Sequence, residues 1–453
     1  MALQNLAVGY RSPLLIKAIR DISRKGLLQF FHDLWREYGD LVRVQIGSNV
    51  LYLVIHPDYV QHINVTQRAK YAKTNTYEGL RRLLLGNGLV TSEGALWRRQ
   101  RRLLAPFFTP RSIEQFLPIF IDEAQRTRKR WEQLAAHGEP IEMIGEMMTL
   151  TARIVLRTLF SLSDESEMRD TAQDVGYLLN FVTQLQLQPL QAPLWLPTAR
   201  NRAYRQALAR VNAFIGQLIA KRRALPVEAY PNDLLSKLML ARDEETGEAI
   251  PDALIRDEAM TIYFAGHETT ARALAFAWYA LAAEPEVTAK LHAEIDRTLG
   301  SGEPTVETLK QMPYTLQVLK ETLRLYPSAP IYGRDAVEDD EIGGVPIKRG
   351  ASLSLVPFCT HRHPEFWDDP LRFDPERFTP EREAARHPYA FHPFAAGQRI
   401  CIGNNFSLLE MHVLLSMLAA QFAPRRQPGH QLELELFGTL GSRTGAWMQI
   451  VPR

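Results

Sequence analysis

From Asp252 to Ala283 the chain reads DALIRDEAMTIYFAGHETTARALAFAWYALAA, with no proline or turn signal before Pro285. As one helix this stretch spans roughly 48 Å at 1.5 Å per residue, enough to cross a globular domain. Its middle is apolar all round, and a helix of that kind lies inside a core. The rest of the chain must therefore pack around it. One interruption stands out, Ala265-Gly266-His267-Glu268-Thr269-Thr270. A carboxyl group in a dry core is costly unless it is paired, so Glu268 is either joined to a lysine or arginine or placed to carry protons. A threonine in a helix can return its hydroxyl to the carbonyl three or four residues earlier and open the turn. With Gly266 alongside, that opening makes room for a small ligand beside the helix. His267, rotated about 100° from its neighbours, reads as a packing or polar-network residue.

The second constraint is FAAGQRICIG, from Phe394 to Gly403, followed by an apolar run of helical period from Phe406 to about Phe422. A cysteine at the mouth of a helix has its thiolate favoured by free N–H groups and by the positive end of the dipole. Gly397 and Gly403 allow backbone conformations or close approaches that a side chain would block. One sulfur does not make a zinc site, because zinc takes a tetrahedral set of ligands and nothing nearby supplies the other three. A single soft ligand suits a metal already held by a macrocycle, as in thiolate-ligated heme iron. The plain alternative for Cys401 is a buried structural thiol.

Other stretches carry paired residues. Trp97 and Arg101 lie four apart on one face of a helix expected from about Gly94 to Leu104, which Pro106 stops. Glu321 and Arg324 are one turn apart in PYTLQVLKETLRLY, and Arg377 follows in FDPERF. Groups of this kind destabilise strongly if buried unpaired. Taken in order, W-x-x-x-R, A-G-x-E-T-T, E-x-x-R, P-E-R-F and F-x-x-G-x-R-x-C-x-G resemble the motifs of the cytochrome P450 family. The resemblance covers essentially the whole chain. It departs mildly where the family often has glycine and this chain has Ala395 and Ala396.

The resemblance implies a mainly α fold with small β sheets, shaped as a triangular prism, with heme b between the long central helix and the helix after Cys401. It implies that Cys401 ligates the iron, with Phe394 packed near the sulfur and Gly403 just beyond it. It assigns Trp97, Arg101, Arg334 and Arg399 to the heme propionates. Thr269 would hold the reacting oxygen by a hydrogen bond and Glu268 would relay protons to it. Val90, Ala265, Gly266 and Ile331 are the implied substrate contacts, while Glu321, Arg324 and Arg377 form a structural cluster. The implied reaction is RH + O₂ + 2e⁻ + 2H⁺ → ROH + H₂O on a small apolar organic substrate, a fatty acid or a terpenoid. A peroxygenase, an isomerase and a non-catalytic heme sensor are the other readings, and the Glu268-Thr269 pair argues against them.

The sequence is read as a single domain over residues 1–453, with no fused reductase, since the stretch after Cys401 is too short for a flavin or iron–sulfur domain. Electrons are then expected from a separate ferredoxin or flavodoxin with its NAD(P)H-dependent reductase. Arg98, Arg99 and Arg102 offer such a partner a basic surface, and the protein is expected to be a monomer. Lys+Arg 53 against Asp+Glu 51 is too balanced for bulk nucleic-acid binding. Two cysteines in 453 residues fit a reducing compartment, and the cytoplasm is the expected location. The N-terminal stretch contains no apolar run of about 18 residues, so no membrane anchor is read there. Leu14, Leu15, Ala18, Ile19 and Ile22 share one face, which either packs on the body or meets a membrane surface. Cys359 is expected in an apolar strand, and His361 or His363 is expected near the propionates.

Overall fold

The computed structural model describes residues 9–12, 15–47, 49–162, 165–187, 192–242, 247–300 and 302–453. The run that opened the sequence analysis is one helix, Asp252–Leu281, with Ala282 as its C-cap. Ala259, Met260, Leu274, Ala275, Ala277 and Trp278 on it are all at most 1% exposed, so it lies within the core on every side. Its main partner is the helix Met143–Phe160. Gly266 is what lets the two approach: a Cβ there would sit 2.9 Å from Val155 Cγ2. Thr151 Oγ1 also donates to the His267 carbonyl at 2.9 Å across the same seam. The helices Leu117–His137, Asn404–Ala419 and Pro313–Leu325 complete the inner layer.

A six-stranded sheet flanks this helical body, in the spatial order Arg11–Ser12, Leu41–Ile46, Asn49–Val54, Ser352–Leu355, Tyr332–Ala336, Tyr71–Ala72. Its hairpin pairs Leu41 with Val54 and Ile46 with Asn49, as the alternating pattern of that stretch requires. Leu27–Tyr38 ends at Gly39 with φ +90, a conformation natural to glycine. Leu14 lies outside the described residues, and Ile22 of the helix Leu15–Lys25 packs against a buried cluster under the sheet. Among the described residues no helix is long and apolar enough to cross a membrane.

Two expectations about elements need correction. Cys359 is fully buried, but in the short helix Pro357–Thr360 that follows the strand Ser352–Leu355. The helix after Cys401 ends at Ala419, because Phe422 begins the strand Phe422–Arg426 that pairs with Trp447–Pro452. An apolar run does not distinguish the end of a buried helix from the start of a buried strand.

The segment 86–92 is pinned to the central helix. Asn87 N donates to Asp257 Oδ2 at 2.8 Å and Leu89 N to Glu258 Oε2 at 3.1 Å. Gly88 is required for this contact, since a Cβ would stand 2.0 Å from Thr261 Oγ1. Glu258 is 1% exposed, its Oε1 has no partner, and burial pushes its carboxyl up from 4.5 to about 8. A carboxyl whose folded value is raised binds its proton more tightly in the native state. That contribution is full below pH 4.5 and is lost as pH rises through about 8. Glu258→Gln keeps an acceptor for Leu89 N–H and should remove this slope. Denaturant titrations across that range are expected to show the variant more stable than the parent at high pH, by on the order of 5 kcal/mol, and similar at low pH.

Candidate functional site

From Glu258 onward, burial along the central helix is broken at one place. Phe264 and Glu268 are at most 2% exposed, yet Ala265 between them is exposed, and Gly266 and Thr269 are partly so. Thr269 Oγ1 returns to the Ala265 carbonyl at 2.9 Å, as expected of a threonine that opens a turn. Cys401 behaves the same way: it is hemmed in by protein, yet its side chain is accessible. Accessible groups inside a sealed core mark the wall of an internal hollow.

The loop that presents the cysteine is rigidly built. Cys401 N donates to the Phe394 carbonyl at 2.9 Å, closing the turn. Gly397 has φ +66, and a Cβ there would lie 2.1 Å from the Asn64 carbonyl. Ala395 also sits in the left-handed region, φ +59, which explains why glycine is favoured at this point in such loops. Gly403 is the N-cap of Asn404–Ala419. Burial pushes the Cys401 thiol up, opposed by the Gly403 amide and by the charges of Arg101 and Lys73.

Cations gather on this wall without enough anions. Arg334 is 4% exposed and donates to Gly333 O and to Asn64 Oδ1 at 3.0 Å, with no carboxylate partner among the described residues. Arg399 Nη2 meets Glu93 Oε1 at 2.5 Å and the Ser92 carbonyl at 3.0 Å, while its Nη1 is buried with no partner. Its guanidinium lies 3.8 Å from the Trp97 ring centre. Lys73 donates to the Val90 carbonyl at 3.1 Å and is held well below its ordinary pKa by burial and by Arg334 and Arg399. Buried like charges of this kind are stable only with a complementary anion. A soft sulfur donor, an accessible gap in a buried helix and a cluster of unneutralised cations together fit a heme with two propionates. Lys73, Arg334 and Arg399 would hold its carboxylates and Cys401 its iron.

Arg101 reaches the cysteine loop. Its Nη1 donates to the Ile400 carbonyl at 3.0 Å, beside the sulfur, and it is Arg399 that stacks on Trp97. Gly266 is partly exposed and also meets Val155 on the neighbouring helix, so its missing side chain serves helix packing as well. Ala265 is the exposed residue of the opened turn, and Val90 is partly exposed beside buried Leu89. Ile331 is partly exposed and packs against the cluster under the sheet. Phe394 packs into the main core.

The structural triad forms as expected. Arg324 makes two 2.7 Å bonds to Glu321, both residues are fully buried, and Arg377 Nε stands 3.5 Å from Glu321 Oε1. Neither histidine joins the cationic wall. His361 Nε2 accepts from His392 N at 3.0 Å, and His363 pairs with Asp40 at 3.0 Å. His267 Nδ1 accompanies the Tyr263 carbonyl at 2.9 Å, and its ring stacks on Tyr263.

Glu268 is joined to an arginine, as the sequence allowed, and keeps one oxygen unbonded. Its Oε1 accepts from Thr439 Oγ1 at 2.7 Å and from Arg272 Nη2 at 3.3 Å, while Oε2 is buried without a partner. Burial pushes its carboxyl up, against the pull of Arg272 and Thr439. Arg272 was within reach of the i,i+4 rule. Lys73, Asn64 and Thr439 were missed, being single residues with no local pattern.

An accessible cysteine on a loop beside unneutralised cations, and an opened turn in the buried central helix, are the features a heme-thiolate protein needs. The family profile described as Cytochrome P450 matches residues 9–444, and the chain belongs to that family. Among its relatives are cyclooctatin synthase of Streptomyces melanosporofaciens, 35% identical over 89% of this chain and 87% of that protein, and cyclooctat-9-en-7-ol 5-monooxygenase of the same organism, 34% identical over 89% and 86%. The crystal structure of a cytochrome P450DA heme domain superposes with TM-score 0.85 at 28% identity, covering 94% of this chain and 93% of that one. The protein is thus a heme b monooxygenase of the P450 fold.

Two outcomes test the assignment. Cys401→Ala should abolish the reduced-CO spectrum characteristic of thiolate ligation, measured on purified protein with heme quantified. Arg334→Leu, losing a charge-assisted contact of about 1.5–3 kcal/mol, should weaken heme retention roughly tenfold or more in apomyoglobin transfer assays. Wild-type spectra and retention in these variants would contradict the proposed wall.

Proposed function

We propose that the protein hydroxylates an apolar terpenoid-like substrate, with Thr269 and Glu268 delivering the protons the reaction consumes. The observation that carries this reading is the opened segment of the central helix: an accessible alanine, a part-exposed threonine and a buried carboxyl with one free oxygen, all within five residues. Heme b, bound through Cys401, supplies the oxygen chemistry, and thiolate ligation favours O–O cleavage. The chain's own residues do the rest. Ala265 leaves space, Thr269 presents a hydroxyl at the opened turn, and Glu268 Oε2 accepts and returns protons in a water-poor setting. Leu89 and Val90, fixed through Glu258 and Lys73, limit how a substrate approaches from the side.

The apolar character of the substrate is supported by the part-exposed Val90 and the exposed Ala265, which offer hydrocarbon contact. The terpenoid class is supported by the relative that oxidises cyclooctat-9-en-7-ol. A separate ferredoxin or flavodoxin with its reductase is the proposed electron source, the basic helix Gly94–Leu104 the proposed docking surface, and a monomer in the cytoplasm the proposed working form. Two free cysteines among the described residues accord with a reducing location.

Titration of the ferric protein with cyclooctat-9-en-7-ol and, in parallel, with a long-chain fatty acid tests the substrate class. The terpenoid alcohol should produce the low-to-high-spin change at lower concentration. A response confined to the fatty acid would overturn the terpenoid assignment. With ferredoxin and reductase supplying electrons, Glu268→Gln should lower product formed per NAD(P)H by about tenfold or more, with heme content unchanged.

A further inference from the structure

The carboxyl of Glu268 is gripped from outside its own helix. The strands Leu434–Leu436 and Leu440–Ser442 form a hairpin near the C-terminal end of the chain, and its tip reaches the central helix. Thr439, at that tip and 8% exposed, donates to Glu268 Oε1 at 2.7 Å. This is the shorter of the two bonds to that oxygen, since Arg272 stands at 3.3 Å. The hairpin is itself held in place. Leu440 N donates to the Ser328 carbonyl at 2.9 Å, and Ser328 Oγ donates to the Thr269 carbonyl at 2.7 Å. Gly441 leaves the space that Arg272 occupies, as a Cβ there would lie 2.6 Å from Nη1. On its other side the tip meets the helix Glu165–Leu187, where a Cβ on Gly438 would stand 3.1 Å from Thr183 Oγ1.

A buried carboxylate has two oxygens and a soft terminal torsion. Arg272, four residues along on the same helix, neutralises the charge but at 3.3 Å fixes orientation weakly. A hydroxyl at 2.7 Å from a separate, anchored element fixes it well. With Oε1 occupied, Oε2 is left as the only oxygen open to take and return a proton.

We propose that Thr439 is a positioning residue for the proton relay: by holding Oε1 it aims the free oxygen of Glu268. The inference rests on the relay reading of Glu268. Arg272 is the charged group facing the carboxyl, and His267 beside it is kept neutral by burial.

The test uses the full-length holoenzyme with Thr439→Val, Thr439→Ser and Glu268→Gln. Each variant is first checked for its reduced-CO spectrum, and Thr439→Ala stands in should the valine variant not fold. The protonated-carboxyl infrared band of Glu268 is identified by its loss in Glu268→Gln. Its pH midpoint should move up in Thr439→Val, because a hydrogen bond that stabilised the anion is gone, and should return in Thr439→Ser. With cyclooctat-9-en-7-ol, ferredoxin and reductase, product per NAD(P)H should fall roughly fivefold in Thr439→Val and recover in Thr439→Ser. The double variant with Glu268→Gln should be no worse than Glu268→Gln alone. An unmoved band and parental coupling in Thr439→Val would overturn the positioning role. Parental coupling in Glu268→Gln would instead remove the relay, and the band shift would still decide whether Thr439 orients the carboxyl.

Discussion

Positive charges held together in a dry interior repel one another, and this protein gathers three of them beside one sulfur. Lys73, Arg334 and Arg399 each act on another of the group, and Glu93 is the carboxylate bonded among them. They come from parts of the chain more than 300 residues apart, brought together by the sheet and by the loop before Asn404–Ala419. No arrangement of this kind persists on its own account, because each buried charge costs several kcal/mol when unpaired. The arrangement fits a dianionic group, as the two propionates of a heme would supply. Folding energy from the helical core holds the cations in position, and the cofactor's carboxylates would neutralise them.

That dependence accounts for the inflexibility of the cysteine loop. Gly397 cannot carry a side chain because the Asn64 carbonyl lies where its Cβ would be, and Asn64 Oδ1 in turn receives Arg334. One asparagine thus links the position of the sulfur to that of a cation. Shifting the loop outward would release Gly397 but would also misplace Arg334. The left-handed Ala395, a conformation costing an L-residue about 1–2 kcal/mol, persists because the surrounding contacts leave it no alternative.

The parts of this site that were legible in the sequence are those whose residues are neighbours along the chain. The central helix, the cysteine turn, Trp97 with Arg101, and Glu321 with Arg324 each show their geometry through a short spacing. Lys73, Asn64 and Thr439 act alone, and their partners lie up to 270 residues away, so no spacing announces them. Gly266 has a packing duty that its sequence context does not announce. A glycine that makes room for a ligand and one that makes room for a neighbouring helix look identical until Val155 is placed beside it. The motif arginine at position 101 also holds a carbonyl beside the sulfur, a contact the motif does not announce because it gives the residue type and leaves its rotamer open.

Three buried carboxyls show how structure and chemistry divide in this fold. Glu321 has both oxygens engaged, by Arg324, by Asp374 N at 2.8 Å and by Arg377, so it has no capacity left for anything but holding the proximal loops. Glu410 has neither oxygen engaged, and burial pushes its carboxyl well up, which keeps it neutral within the core. Glu268 lies between these limits. One oxygen is fixed by a hairpin and an arginine, the other is free, and the next residue along the helix is accessible to the hollow. A fully bonded carboxylate cannot exchange a proton without breaking the fold, and a wholly isolated one will not give its proton up near neutral pH. A half-bonded carboxyl keeps a fixed direction and a usable oxygen at once. Glu258 and Glu268 are both half-bonded, and it is Glu268 that adjoins the opened turn, which supports the proposed relay.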